Sequence, residues 1–137
     1  MGEKVNRLTL SRRHWEAMRD QVAADVPLES CGLLAGAGEI IQRVIPVPNA
    51  LKSASRYRFS PSEQLQAFEE IEREGMEMLA IYHSHPRGPV HPSPTDIAEA
   101  FYPVVYVIWS PQDGGWQAKG FWIENGLFSE VPLEKLE

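Results

Sequence analysis

The sequence predicts an α/β domain of the mixed α+β kind, with a central mixed or largely antiparallel sheet flanked by helices. Three observations predict it. Apolar residues recur at helical spacing in some stretches and form short continuous runs in others. Helix-start patterns stand at Ser60-Pro61-Ser62-Glu63 and Ser93-Pro94-Thr95-Asp96. The chain closes on a hairpin pattern around Asn125-Gly126. The resulting order is strand, helix, strands, helix, strand, helix, strands, which is not a regular βαβ repeat.

Taken in order, Arg7 to Leu10 is a short strand. Ser11 caps the helix that follows, in which Trp15, Met18, Val22 and Val26 share a face before Pro27 stops it. Leu28 to Gly36 reads as a buried strand, and Ala37-Gly38 turns into a second, Ile40 to Val47. Asn49 to Arg56 is polar loop and Tyr57 to Phe59 a short strand. A helix capped at Ser60 carries Leu65, Phe68 and Ile71 as its apolar stripe and ends near Gly75. Met78 to His83 is a strand that runs into a proline-rich loop. A short helix starts at Ser93-Pro94 and continues to Ala100. Val104 to Trp109, the most apolar run, is a central strand. Pro111 to Gly115 is a turn, and Trp116–Glu124 and Leu127–Val131 form the hairpin.

The length of 137 residues suits one domain, 1–137, with room for a core. An apolar share of 43% and a charged share of 23% are those of a soluble globular protein. A formal charge of −6 argues against nonspecific nucleic-acid binding, which needs a basic face. The single cysteine rules out an internal disulfide and favours a reducing compartment. Val104 to Trp109 is too short to span a membrane, and Met1 to Arg13 is too polar for a signal peptide. The expectation is a cytoplasmic protein without nucleic-acid or membrane partners, a monomer or a homodimer.

The chemistry concentrates in His83-Ser84-His85-Pro86 and in Ser93-Pro94-Thr95-Asp96. Alternate residues of a strand share a face, so His83 and His85 point the same way and Ser84 the other. The strand ends at Pro86, which puts the pair at a sheet terminus. The loop brings Asp96 back at the start of a helix. Two imidazoles and one carboxylate leave an open position on a catalytic zinc, and equally make the facial triad of a mononuclear iron oxygenase. Ser93 to Asp96 also has the form of a helix capping box, and each histidine alone has an ordinary structural explanation. Glu29 sits beside Cys31 at the edge of an apolar segment, where burial disfavours its charged form. It is a candidate general base. Cys31 reads as a small buried hydrophobe, His91 as a loop residue outside the ligand set, and the four tryptophans as packing.

Together these residues resemble the JAMM metallopeptidases, the active MPN+ branch of the MPN-domain family. The family pattern is a glutamate upstream, then His-x-His, seven residues, Ser, two residues, Asp. Here it stands as Glu29, His83-Ser84-His85, Pro86 to Pro92, Ser93, Pro94-Thr95 and Asp96. Pro27 to Leu34 is similar to the family's glutamate strand. The resemblance implies the MPN/JAMM fold and one Zn2+ per chain held by His83, His85 and Asp96 with a water. It implies Glu29 as general base and Ser93 as hydrogen-bond donor to the oxyanion. It further implies a ubiquitin-like protein as substrate, cut after an extended C-terminal Gly-Gly tail. The compact chain looks most like the small prokaryotic members, and Tyr57 to Pro61 with Glu63 to Leu65 resembles the sulfur-carrier-linked subgroup. The alternative within the family is a noncatalytic scaffold. That branch usually lacks part of the ligand set, whereas this chain keeps all of it.

Overall fold

The computed structural model describes residues 4–136; residues 1–3 and 137 of the expected domain 1–137 lie outside the described residues. Eleven elements follow one another: β1 Leu8–Ser11, α1 Arg12–Asp25, β2 Cys31–Ala37, β3 Ile40–Val47, α2 Pro61–Arg73, β4 Glu77–Ser84, α3 Pro94–Ala98, β5 Val105–Gln112, β6 Gly115–Glu124, β7 Leu127–Val131 and β8 Leu133–Leu136. The strands form one eight-stranded sheet in the order β7-β6-β5-β4-β2-β3-β1-β8. Among the described residues, four of its strand contacts are antiparallel (β2–β3, β2–β4, β5–β6, β6–β7) and three parallel (β1–β3, β1–β8, β4–β5). The sheet is mixed, as the sequence predicts.

The sheet carries a core on each face. On one side Leu34, Ala80, Tyr82, Val107 and Trp109 pack with Met18 and Val22 of α1. On the other, Cys31, Leu33, Ile81, Tyr106 and Ile108 pack with Ala67 and Ile71 of α2. Strand parity therefore assigns His83, two residues from Ile81, to the α2 face, and Ser84 to the α1 face. For α1, burying Met18 and Val22 contributes about 3–6 kcal/mol. The Ser11 cap, whose side chain accepts from the His14 N–H at 3.1 Å, adds about 1 kcal/mol, so packing rather than capping holds the helix.

Several local expectations are corrected. Val26 is 46% exposed, because the helix has ended at Asp25 and the chain leaves the sheet there. The second strand starts at Cys31, not Leu28, so Glu29 precedes the strand instead of lying in it. Leu65 is 59% exposed; at 100° per residue it stands about 120° from Ile71, and the inward face is Gln64, Ala67, Phe68 and Ile71. Ser60 makes no side-chain cap bond. Tyr57 to Phe59 forms only an isolated bridge, Asn49 to Phe59. The third helix stops at Ala98. The turn expected over Pro111 to Gly115 narrows to Asp113-Gly114, with both φ values positive as a two-residue hairpin of this hand requires. β8 is an addition, a largely exposed edge strand whose Glu134 and Lys135 mask its pattern.

Behind the His83–His85 end of β4, the Tyr82 side chain lies over β2 at Gly32. Gly32 faces Tyr82, and a Cβ built on Gly32 would overlap the Tyr82 ring and hydroxyl and stand 2.6 Å from the Ile45 carbonyl. The Tyr82 hydroxyl in turn donates to Gln21 of α1, whose amide donates to the Cys31 carbonyl at 3.0 Å. Gly32→Ala should therefore destabilise the fold by about 2–3 kcal/mol through overpacking. Thermal unfolding checks this: the midpoint should drop by several degrees, and an unchanged midpoint refutes the close approach.

Candidate active site

His83 is the penultimate residue of β4, wholly buried, and paired across the sheet with Cys31 on β2 and Ile108 on β5. His85 lies one residue past the strand, yet its N–H still donates to the Trp109 carbonyl at 2.7 Å, which extends the β4–β5 ladder by one rung. Both imidazoles are thus fixed to the sheet by backbone. Their Nε2 atoms stand 3.1 Å apart.

Asp96 closes the triangle. Its carboxylate lies 3.0 Å from His85 Nε2 and 3.2 Å from His83 Nε2. It is aimed by a capping box at the start of α3: the Ser93 N–H donates to Asp96 Oδ2 at 2.9 Å, and Ser93 Oγ accepts from the Asp96 N–H at 3.0 Å. The cap occupies a lone pair of the Ser93 hydroxyl and leaves its proton free to donate elsewhere. The capping role and a donor role are therefore compatible.

The surrounding contacts set the rings. His85 Nδ1 lies 2.7 Å from the Pro89 carbonyl, so it carries the proton and donates, which leaves Nε2 bare in the neutral ring. The His83 ring is held differently. Among the described residues its Nδ1 has no hydrogen-bond partner, and the Tyr57 ring stacks on the imidazole at 4.5 Å with planes 24° apart. Two bare or partly bare ring nitrogens and a carboxylate converge in a buried place, an arrangement that calls for a proton or a cation between them. A tetrahedral ion with bonds of about 2.0 Å separates its ligands by about 3.3 Å. The His83–His85 edge of 3.1 Å comes close to that; the carboxylate meets His85 through Oδ2 and His83 through Oδ1, and with one ligand atom from each residue within 4.8 Å of the others the three could hold one metal ion.

The three groups also act on one another's charges. Burial alone would raise the Asp96 carboxyl, but hydrogen bonds from His83 and His85 and from Ser93 hold it well below the usual carboxylate range. Burial lowers His83, against the pull of Asp96. Burial would also lower His85, but Asp96 and the Pro89 carbonyl outweigh it and the ring titrates above its ordinary value.

Glu29 is buried beside the cluster. Burial pushes its carboxyl up to about 7; the charge of His85 works against the rise and that of Asp96 adds to it. Cys31 is buried too, its thiol donating to the Val47 carbonyl at 3.2 Å and pushed up to about 12 by burial, then by Glu29 and Asp25. A thiol that stays protonated at neutral pH is no nucleophile. His91 is exposed and outside the cluster. Sequence reasoning missed three contributors. Tyr57 was legible as the start of a short strand and of a stretch resembling a subgroup, but not as a ring stacked on His83. The Pro89 carbonyl carries no sequence signal. Ser84, on the opposite face, accepts from the Ser30 N–H at 2.8 Å and so ties the Glu29 segment to β4.

The family described as prokaryotic homologs of the JAB domain matches residues 11–122, a span that holds every residue of the site. The chain belongs to that family. A probable TtuB-protein conjugate cleaving protease of Thermus thermophilus is 48% identical over 94 residues, which cover 68% of this chain and 63% of that relative. A CysO-cysteine peptidase of Mycobacterium tuberculosis is 34% identical over 125 residues, 88% of this chain and 86% of that one. Among solved structures, a protein of Desulfitobacterium hafniense superposes with a TM-score of 0.86 at 32% identity, over 95% of this chain and 93% of its own. A structure described as a JAMM metalloprotease-like zinc site in the proteasome and signalosome gives 0.62 at 19% identity, over 96% and 99%, a likeness of fold alone. The fold is that of the JAMM/MPN proteins.

The shared Asp96 partner can be tested without metal. His85 should titrate above an ordinary histidine, and Asp96→Asn should bring its pKa down. A raised folded-state pKa means that the pair stabilises the protein below the unfolded histidine pKa and that this contribution fades as pH rises through the folded value. NMR titration of the imidazole reads it, and identical His85 curves in the two proteins would contradict the pairing.

Proposed function

We propose that the protein is a zinc-dependent peptidase or isopeptidase that hydrolyses the bond after the C-terminal Gly-Gly tail of a ubiquitin-like protein. The observation that carries this reading is the convergence of His83, His85 and Asp96 beside a buried Glu29 whose carboxyl is pushed up to about 7. Relatives described as a conjugate cleaving protease and a CysO-cysteine peptidase support the same class of reaction. A cytoplasmic setting follows from the reading.

A zinc ion held by His83, His85 and Asp96 would supply Lewis-acid activation of water and of the scissile carbonyl. The chain's own groups do the rest. Glu29, poised near neutrality, takes the proton from the attacking water and passes it to the departing amine. The free proton of the Ser93 hydroxyl faces the oxyanion as charge develops there. The Pro89 carbonyl and the Tyr57 ring keep the imidazoles in place.

An extended tail is suited to strand addition. The Asn49–Phe59 segment supplies an edge for it. Arg56 and Arg58 turn their N–H and C=O groups into the loop, towards Ser53 Oγ, the Asn49 side chain and the Ala50 N–H. Tyr57 lies between them, and among the described residues its own N–H and C=O have no such partner. Since its ring stacks on His83, a tail paired there runs directly past the ligand cluster.

With a ubiquitin-like protein carrying a C-terminal extension as substrate, Glu29→Gln should lower turnover by about 10²–10⁴-fold with zinc retained. Asp96→Ala should lose the zinc, read as metal stoichiometry after purification without added metal, an analysis that also separates zinc from iron. Full turnover by Glu29→Gln sinks the general-base role, and tight binding of the substrate without any turnover by the intact protein favours a scaffold. For the tail edge, Tyr57→Pro removes ring and N–H together and should raise KM above that of Tyr57→Ala, which removes the ring alone. Equal KM values would discard the edge.

A further inference from the structure

The geometry points to Asn49 as a positioning residue that fixes Glu29 through the peptide backbone and ties it to the loop that packs on the ligand cluster. This inference rests on the reading of Glu29 as general base.

Glu29 precedes β2, so no sheet ladder holds it. Among the described residues no hydrogen bond holds its carboxylate, and where that carboxylate stands depends on how its peptide is anchored. Two of the anchors come from the 49–59 loop. The Glu29 N–H donates to the Ser53 carbonyl at 2.8 Å, and the Glu29 carbonyl accepts from Asn49 Nδ2 at 3.1 Å. The loop grips the residue on both sides.

Asn49 has every valence of its amide engaged, and every partner is backbone. Nδ2 donates to Glu29 and, at 2.9 Å, to the Arg56 carbonyl. Oδ1 accepts from the Leu51 N–H at 3.0 Å and the Arg58 N–H at 3.2 Å. One side chain therefore ties the outgoing arm of the loop, the returning arm and the Glu29 segment. The returning arm holds Tyr57, whose ring lies on His83, and Arg56, which pairs with Glu99 at the end of α3, the helix that carries Asp96. A displacement of the loop thus reaches Glu29 through Asn49, and the amide is what keeps the base in register with the ligands. Only an amide of this length has two donors and two acceptor positions in that plane; aspartate keeps the acceptors and loses both donors.

The test is a double-mutant cycle on the full chain, with turnover of a ubiquitin-like protein bearing a C-terminal extension, zinc content and thermal midpoint measured for each variant. Asn49→Asp should lower kcat by about 10–100-fold, the cost of a base misplaced by a fraction of a bond length to about 1 Å, with zinc stoichiometry unchanged. In the Glu29→Gln background the same substitution should lower kcat by less than about threefold, because a residue that acts through Glu29 has nothing left to position. If Asn49→Asp does not fold, Asn49→Ser assayed well below its own midpoint carries the same expectation. Wild-type kcat in the folded variant, or equal losses in the two backgrounds, overturns the inference while leaving the general base in place. A fully active Glu29→Gln removes the general base, and this inference with it.

Discussion

The antiparallel pairing of β2 with β4 sets Cys31 opposite His83, and the rest of the site is arranged around that register. It fixes which end of the sheet the motif occupies. It places the segment that carries Glu29 directly across from the strand that carries the histidines. Ser30 and Ser84 continue the contact one step past the last strand pair, with the Ser84 N–H donating to the Ser30 carbonyl at 3.0 Å and the Ser84 hydroxyl accepting in return. A slip of one residue in β4 would turn His83 to the α1 face, and a slip in β2 would move the Glu29 segment away from it; either would separate the two halves of the motif. Gly32 and Tyr82 make such a slip costly, since the ring needs a residue without a side chain beneath it.

The second constraint is electrostatic. Three groups with lone pairs meet in a place from which water is largely removed, and one of them is a carboxylate. Such a cluster is stable only when a cation or proton sits within it and when each group is oriented by something else. The protein meets the second demand from four directions: the sheet backbone for both histidines, the Pro89 carbonyl for His85, the Tyr57 ring for His83, and the first turn of α3 for Asp96.

Much of this was legible in the sequence because it follows from periods and caps. His-x-His at a strand end gives a shared face by parity alone. Ser93 to Asp96 gives a helix start whose first turn must point back towards that end, and the structure makes both halves of its capping box. What escaped is of another kind. Ser60 to Glu63 has the same pattern, yet Ser60 makes no cap bond, so the pattern alone does not tell a formed box from an unformed one. The Leu28 to Gly36 stretch reads as one strand because Leu28 stands before an apolar run, yet pairing begins only at Cys31, after the polar Glu29-Ser30 pair. Leu65 looks like core because leucine is apolar, but the helical phase is set by Ala67 and Ile71, which are smaller or farther along. β8 is hidden by its charges. The contacts that hold the histidines from behind, a carbonyl and a stacked ring from a loop, have no period to read.

Ser93 has one oxygen with two separate assignments. Its lone pair belongs to the helix, and its proton, on the function proposed here, belongs to the reaction. Aspartate caps a helix about as well as serine and suits the positive end of the helix dipole, but at neutral pH it has no proton to give. Heat resistance and turnover therefore make different demands on this position. Directed evolution under thermal selection alone would act on the capping oxygen and not on the hydroxyl proton, and the one pressure it would put against an aspartate here is the neighbouring carboxylate of Asp96.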